Sequence, residues 1–308
     1  MKYFSIKKDI LATIAYFNLF DYPLKKDEIF LFLHDNDDFT EFEQALHLLS
    51  TESVIFKIGE FYSLHDNANL AARRISGYEK AVIMLKKAKM AANIISAFPF
   101  VKGVAVSGSL SKYFAGDKTD IDFFIITDPN RLWLARTFLH GFKKLTYLFN
   151  GQDLFCMNYF IDETEPEIME KNIFTATEIA TLMPLRGVNS FRNFFKANSW
   201  TNNFFPNKYI YQPAVKETIQ SWLRWCMEKM LNNRLGDTLE NYLMKLTSKR
   251  WNDKTISNKK NSKGILLSMH TGRHFSKPNP EIFQKKLLQR YDNSLKDIFQ
   301  YYELSRYC

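Results

Sequence analysis

Cysteine is scarce in this 308-residue chain: Cys156, Cys226 and Cys308 are its three, and none stands in a CxxC pair. That usage offers neither a disulfide framework nor a zinc site and suits a reducing compartment, so a cytoplasmic location is expected. Long uncharged apolar runs are missing too. The most apolar stretch, residues 131–150, is broken by Arg136, His140, Lys143 and Lys144. Nothing approaches the ~20 residues of a membrane helix, so no membrane partner is expected. The opening MKYFSIKKDILATIAYF carries charges within its apolar run and no small-residue cleavage site, which argues against a signal peptide. Positive charge is sparse at the start: residues 1–66 hold 6 Lys/Arg against 12 Asp/Glu, a net of −6. No internal repeat is visible.

What is present is enough apolar material for real cores, 46% hydrophobic residues with 28 Phe, in a chain long enough for two or three domains. The net charge of +9 gathers late. Residues 201–308 hold 19 Lys/Arg against 9 Asp/Glu, a net of +10, which is where an anionic ligand would be drawn.

Residues 1–66 predict three short helices and a hairpin. Ile10, Leu11, Ile14 and Phe17 are spaced for a helix over 7–20, which ends at Asp21-Tyr22-Pro23. Helices over 24–33 and 40–52 follow, the latter opened by a Thr40/Glu43 capping box and burying Phe42, Ala45, Leu46 and Leu49. Residues 54–64 alternate as two strands around Gly59. This order resembles a winged-helix domain. Its third helix, TEFEQALHLLSTE, has three Glu and no Lys or Arg. Phosphate neutralisation supplies most non-specific DNA affinity, so a structural or protein-contact role is expected here rather than DNA binding.

Residues 67–98 form a connecting helix closed by Pro99, with Met84, Met90 and Ile94 expected in its core. Strand and helix then alternate. Residues 101–106 read as an apolar strand, 120–127 as a second, 128–150 as a capped helix stopping near Asn150-Gly151, and 155–162 as a third strand containing Cys156 as a core residue. Beyond it the pattern reads as helical: 167–185, 215–232, 235–251 and 280–302. A basic loop lies at 257–264, and another holds His270, Arg273, His274 and Lys277. The i, i+4 histidines are a weak metal signal beside Gly272 and two prolines. Lys171 and Arg186 flank the 167–185 helix, facing either cleft or solvent.

The chemistry concentrates in VAVSGSLSKYFAGDKTDIDFFIIT. A buried strand runs into Gly108-Ser109, small residues that let backbone N–H groups approach a phosphate, and a helix starting at Leu110 would add donors and a favourable dipole. Asp120 and Asp122, i and i+2 on a strand, project to one face while Ile121 points inward. Adjacent carboxylates repel unless cations lie between them, and hard oxygen ligands suit Mg²⁺.

Gly108-Ser109, ten intervening residues and then Asp120-Ile121-Asp122-Phe123 resembles the signature of the DNA polymerase beta-like nucleotidyltransferase superfamily over residues 98–185. The resemblance implies an α+β fold with a small mixed-sheet catalytic domain (99–185). An N-terminal winged-helix-like domain (1–66) and a basic, all-helical C-terminal domain (186–308) would flank it. It implies transfer of a nucleoside monophosphate from an NTP to an acceptor, releasing pyrophosphate. Asp120 and Asp122 would bind two Mg²⁺ ions, Gly108 and Ser109 the outer phosphates, and Ser111 and Lys112 would assist. Members usually add a third carboxylate from a later strand. Here that place falls on Asn158, which leaves three alternatives: Asp162 as the substitute catalytic carboxylate, Asp153 in that role, or a one-metal site. An acceptor is not identified, though the basic last third tilts toward an anionic one. The competing reading is a nucleotide-binding regulator with little catalysis, its winged helix contacting a partner or DNA.

Overall fold

The computed structural model describes residues 2–117, 119–146, 155–208, 215–257, 269–278 and 281–304. Asp153, Cys308, the expected helix stop at Asn150-Gly151 and residues 258–264 of the expected basic loop lie outside them.

The chain opens with α1 (Lys2–Asn18), β1 (Leu24–Lys25), α2 (Lys26–Leu31), α3 (Phe39–Thr51), β2 (Phe56–Ile58) and β3 (Phe61–Ser63). Ile10, Leu11, Ile14 and Phe17 all face the core, as their spacing requires. The expected 24–33 helix begins later. Leu24 and Lys25, behind Pro23, are extended and pair with Tyr62 and Phe61, giving an antiparallel sheet of order β1-β3-β2. The cap of α3 is not Thr40 but Asp38, whose carboxylate accepts the N–H groups of Thr40 (2.8 Å) and Glu41 (3.2 Å). Gly59 turns the hairpin with φ +62.

Next, α4 (Ala68–Ser96) crosses to a six-stranded sheet. Met90 and Ile94 are exposed, contrary to expectation; the buried side of α4 is Ala81, Leu85, Ala88, Ala92 and Ile95, small residues that let it lie close to the strands. The sheet contains β4 (Val101–Val106), β5 (Asp122–Thr127), β6 (Cys156–Asp162), β7 (Met183–Arg186), β8 (Met269–Thr271) and β9 (Phe275–Pro278), in the order β7-β4-β5-β6-β9-β8. β5 and β6 pair in parallel, and α5 (Leu132–Thr146) lies in the crossover that such a pair demands. The alternation of β5 sorts its residues between two cores. Phe123 and Ile125 join Ala88, Trp133 and Leu139 on the α4/α5 side. Phe124 and Ile126 join Ile179 of α6 (Ile173–Ala180) with Phe191 and Phe194 of α7 (Val188–Ala197) on the other.

Two expectations for the later chain are corrected. The 167–185 helix contracts to α6, because Pro184 cannot continue it and residues 183–186 pair instead along β4 as the edge strand β7. Residues 186–308 are not all helical. Besides α7, α8 (Trp222–Leu231), α9 (Arg234–Ile256) and α10 (Glu281–Leu304), they supply the β8–β9 hairpin, which extends the sheet through Phe160↔Ser276 and Ile161↔Phe275. The supposed loop around His270 and His274 is this hairpin. The last helix returns to the first: Tyr291 and Tyr302 are buried with Ile10 and Ile14, and Tyr291 donates to the Ala12 carbonyl. Among the described residues no helix is long and apolar enough to cross a membrane.

Candidate nucleotide and metal site

At the end of β4 the Ser107 N–H donates to the Asp122 carbonyl at 2.9 Å, which ties the exit of one strand to the start of the next. Gly108 follows with φ +70. Its carbonyl accepts from Ser111 Oγ at 2.9 Å and from Lys112 Nζ at 3.0 Å. The helix expected here is a single 3-10 turn, Leu110–Lys112, ended by Tyr113 in the left-handed region. Its first internal bond is Lys112 N–H to the Ser109 carbonyl. The N–H groups of residues 109–111 therefore precede it, where helical turns offer donors to anions. Ser111 and Lys112 brace the turn, and Lys112 also meets Glu178 Oε1 at 2.7 Å. The N-terminal elements brace it from behind: Tyr22 OH donates to the Lys112 carbonyl at 2.5 Å.

Asp122 opens β5 and Asp120 stands two residues before it, both half-buried. Both carboxylates act electrostatically on the Cys156 thiol. Burial first, then the charge of Asp122 and to a lesser degree that of Asp120, push that thiol up to about 11 against the opposing Lys143. Register explains how Asn158 reaches this point. Phe123 pairs with Met157 but Phe124 with Tyr159, so Asn158 is the extra residue of a β-bulge. Bulges re-aim side chains beside functional sites. Here the Asn158 amide donates to Asp122 Oδ1 at 2.5 Å, while its carbonyl accepts from Cys156 Sγ at 3.2 Å.

Asp162 is not brought to this point. It pairs with Thr127, at the far end of β5 from Asp122. Five strand residues place it about 16 Å away. Fully buried, Asp162 accepts the N–H groups of Asn130 (3.0 Å), Thr164 (2.9 Å) and Glu165 (3.4 Å), and lies 2.8 Å from His274 Nδ1. It holds the β5–α5 connection and the β8–β9 hairpin together. His274 is thereby committed to Asp162 and forms no metal pair with His270, whose ring packs on Phe275. Arg186 hydrogen-bonds Asn93 and Lys171 pairs with exposed Glu167, so neither enters the cleft.

Beside Asp122 a cavity of about 340 Å³ opens. Two carboxylates on its wall, Glu170 and Glu178, carry no sequence signal, because they lie on an irregular segment and on a helix whose limits depend on tertiary packing. Each is paired, Glu170 with Lys277 at 2.5 Å and Glu178 with Lys112. Among the described residues no cluster of three or more His, Cys, Asp or Glu is placed to hold a metal ion. Mg²⁺ needs only one or two carboxylates when phosphate oxygens and water complete its shell. Asp120 and Asp122 are two carboxylates in number; the third that two ions would share is absent, because Asn158 is neutral and turns its N–H toward Asp122.

Comparison with protein-family models, with curated proteins and with solved structures finds no match.

Proposed function

We propose that this chain is a magnesium-dependent nucleotidyltransferase acting in the cytoplasm. The observation that carries the reading is the Gly108 turn facing Asp122, with Asp120 beside it. Gly108 and Ser109 hold the outer phosphates of a nucleoside triphosphate through backbone N–H groups. Asp120 and Asp122 hold Mg²⁺, which neutralises charge on the phosphates when bound. Ser111 and Lys112 act by fixing the Gly108 carbonyl, and so the direction of the turn. In the reaction an acceptor hydroxyl oxygen bonds to the α-phosphorus, the bond to pyrophosphate breaks, and the hydroxyl proton is released. The mixed sheet of residues 101–186 supplies this centre, and the N-terminal elements act as a winged-helix-like module.

One observation favours a second reading. Asn158 donates to Asp122 where a third carboxylate would serve, which suits a nucleotide-binding regulator with little turnover. In either case α3 is a poor DNA reader: Glu43 and Glu52 are paired with Lys26 and Lys7, and no cation replaces them on that helix.

Purified protein with Mg²⁺ and each labelled NTP, assayed for pyrophosphate release beside Asp120→Ala and Asp122→Ala, separates the two. Release abolished by both substitutions supports the enzyme. Tight nucleotide binding without turnover on any acceptor supports the regulator.

A further inference from the structure

The cavity beside Asp122 is lopsided with respect to the sheet. On the β4 side it reaches only Ser107 and Gly108, just past the strand's end, then spreads from Asp122 and Phe124 of β5 across β6 at Asn158 and Tyr159 to β9 at Lys277 and Pro278. Its far side is therefore on the opposite flank of Asp122 from the phosphate-holding turn. In a transfer reaction the second substrate belongs on that flank.

Its lining is apolar and aromatic. Phe124 and Tyr159 stack with centroids 4.7 Å apart, and Ile168, Phe174, Ile179 and Leu182 close over them. The two ammonium groups nearest it are each matched by a carboxylate, Lys277 by Glu170 and Lys112 by Glu178. Of the other basic residues of the hairpin, Arg273 is used on Asn130 and His274 on Asp162, while His270, on the cavity wall, packs its ring against Phe275. A nucleic-acid backbone is held by cations that exchange counterions for phosphates, and paired lysines offer little of that. Among the polar side chains of the wall, one is buried without a partner. Thr175 lines the cavity at 7% exposure, and its hydroxyl has no hydrogen-bond partner among the described residues. A buried hydroxyl without a partner costs roughly 1–3 kcal/mol, so a ligand that supplies one is favoured once the Thr175 side chain turns toward the cavity. The volume, about 340 Å³, is that of a small-molecule site.

We propose that this cavity is the acceptor subsite and takes a compact, uncharged, ring-bearing hydroxyl compound rather than a nucleic acid. The proposal rests on the nucleotidyltransferase reading. It departs from the anionic acceptor suggested by the basic last third, because the cations nearest the cavity are already neutralised. The acceptor ring lies among Phe124, Tyr159 and Phe174, its polar edge meets Thr175, and its hydroxyl faces Asp122. The bond formed joins that oxygen to the α-phosphorus of the nucleoside triphosphate. The bond broken releases pyrophosphate, and the proton goes to solvent.

The test uses the full chain and a panel of uncharged aryl alcohols and aryl glycosides, with binding followed by saturation-transfer NMR with and without Mg-ATP. A twelve-nucleotide RNA serves as competitor. At least one panel member is expected to bind, to stay bound when Mg-ATP is added, and to stimulate pyrophosphate release. Ile179→Trp, which fills the cavity, should weaken that binding more than tenfold. Thr175→Val, which keeps the side-chain shape, should weaken it about fivefold, the worth of one hydrogen bond. The acceptor assignment is overturned if no panel member binds, if both variants bind as the parent does, or if Mg-ATP or the RNA displaces the probe. Joint binding of probe and Mg-ATP without pyrophosphate release overturns the nucleotidyltransferase reading alone and leaves the ligand class of the cavity standing.

Discussion

A β-carbon placed on Gly108 would lie 3.1 Å from Asp122 Oδ2, on a residue whose φ is +70. Glycine is thus required twice at this position, by the left-handed backbone and by the approach of the carboxylate. Gly59 in the β2–β3 turn has a comparable φ of +62 but nothing within 4 Å of the same construction. Gly108→Ala and Gly59→Ala should therefore each cost about 1–2 kcal/mol in urea unfolding. Only Gly108→Ala should reduce pyrophosphate release, by at least about tenfold, a displacement of catalytic groups worth ~1.4 kcal/mol. Equal activity in the two variants would remove Gly108 from the site.

The bond from Asn158 to Asp122 predicts the behaviour of Asn158→Asp. Without cation, two carboxylates at that separation must share a proton or repel, and the variant should melt below the parent. With Mg²⁺ the order should reverse, because a ligand bound only by the folded state stabilises it in proportion to its affinity. Thermal denaturation across a Mg²⁺ titration reads both effects. A variant whose melting temperature ignores Mg²⁺ would mean that Asp120 and Asp122 hold no metal.

What could be read beforehand follows from the range of the forces involved. β4 is a run of buried residues ending at a glycine, and local pattern sufficed for it. The same pattern placed Asp120 and Asp122 together on the face opposite Ile121. Asn158 was visible as a missing carboxylate, but the bulge that turns it onto Asp122 is a property of the β5–β6 register, which no single segment encodes. Asp162 misled because strand alternation says which face a residue occupies and not how far along the pair it lies. β7 and the β8–β9 hairpin were hidden for a related reason. They are three- and four-residue strands at the two ends of the sheet, whose extended state depends on a neighbour distant in sequence. Thr175, Glu170 and Glu178 converge only once α6 has packed on the sheet.

The cluster at Asp162 should behave as a structural one. Its carboxylate takes three backbone N–H groups and His274 in full burial, so Asp162→Ala leaves these donors without an acceptor and should cost roughly 3–5 kcal/mol. His274→Ala removes one partner and should cost about 1–3 kcal/mol. Activity per folded molecule, with the folded fraction taken from urea curves, should remain within about threefold of the parent in both. A hundredfold loss in a fully folded Asp162→Ala protein would return Asp162 to the catalytic centre.

Glu240 gives the protein a pH dependence of its own. Its carboxylate accepts the N–H groups of Trp133 (2.7 Å) and Leu134 (2.9 Å) at the start of α5. Burial nevertheless dominates and pushes its pKa from 4.5 up to about 7, against those two bonds and Arg131. A carboxyl whose folded pKa is raised contributes stability in its protonated form. That contribution is complete below pH 4.5 and is lost as the pH rises through about 7. Buried His140, pushed from 6.5 down to about 3, has the opposite slope below pH 6.5, because unfolding lets it take up a proton. The quantity to read is therefore the difference between parent and Glu240→Gln in urea unfolding from pH 5 to 8. The substitution cannot ionise, so the His140 slope cancels, and the parent should lose stability relative to the variant from pH 5 up to about 7 and level off above it. Parallel curves would show that Glu240 is already charged in the folded protein throughout this range, with its two N–H donors and Arg131 outweighing burial.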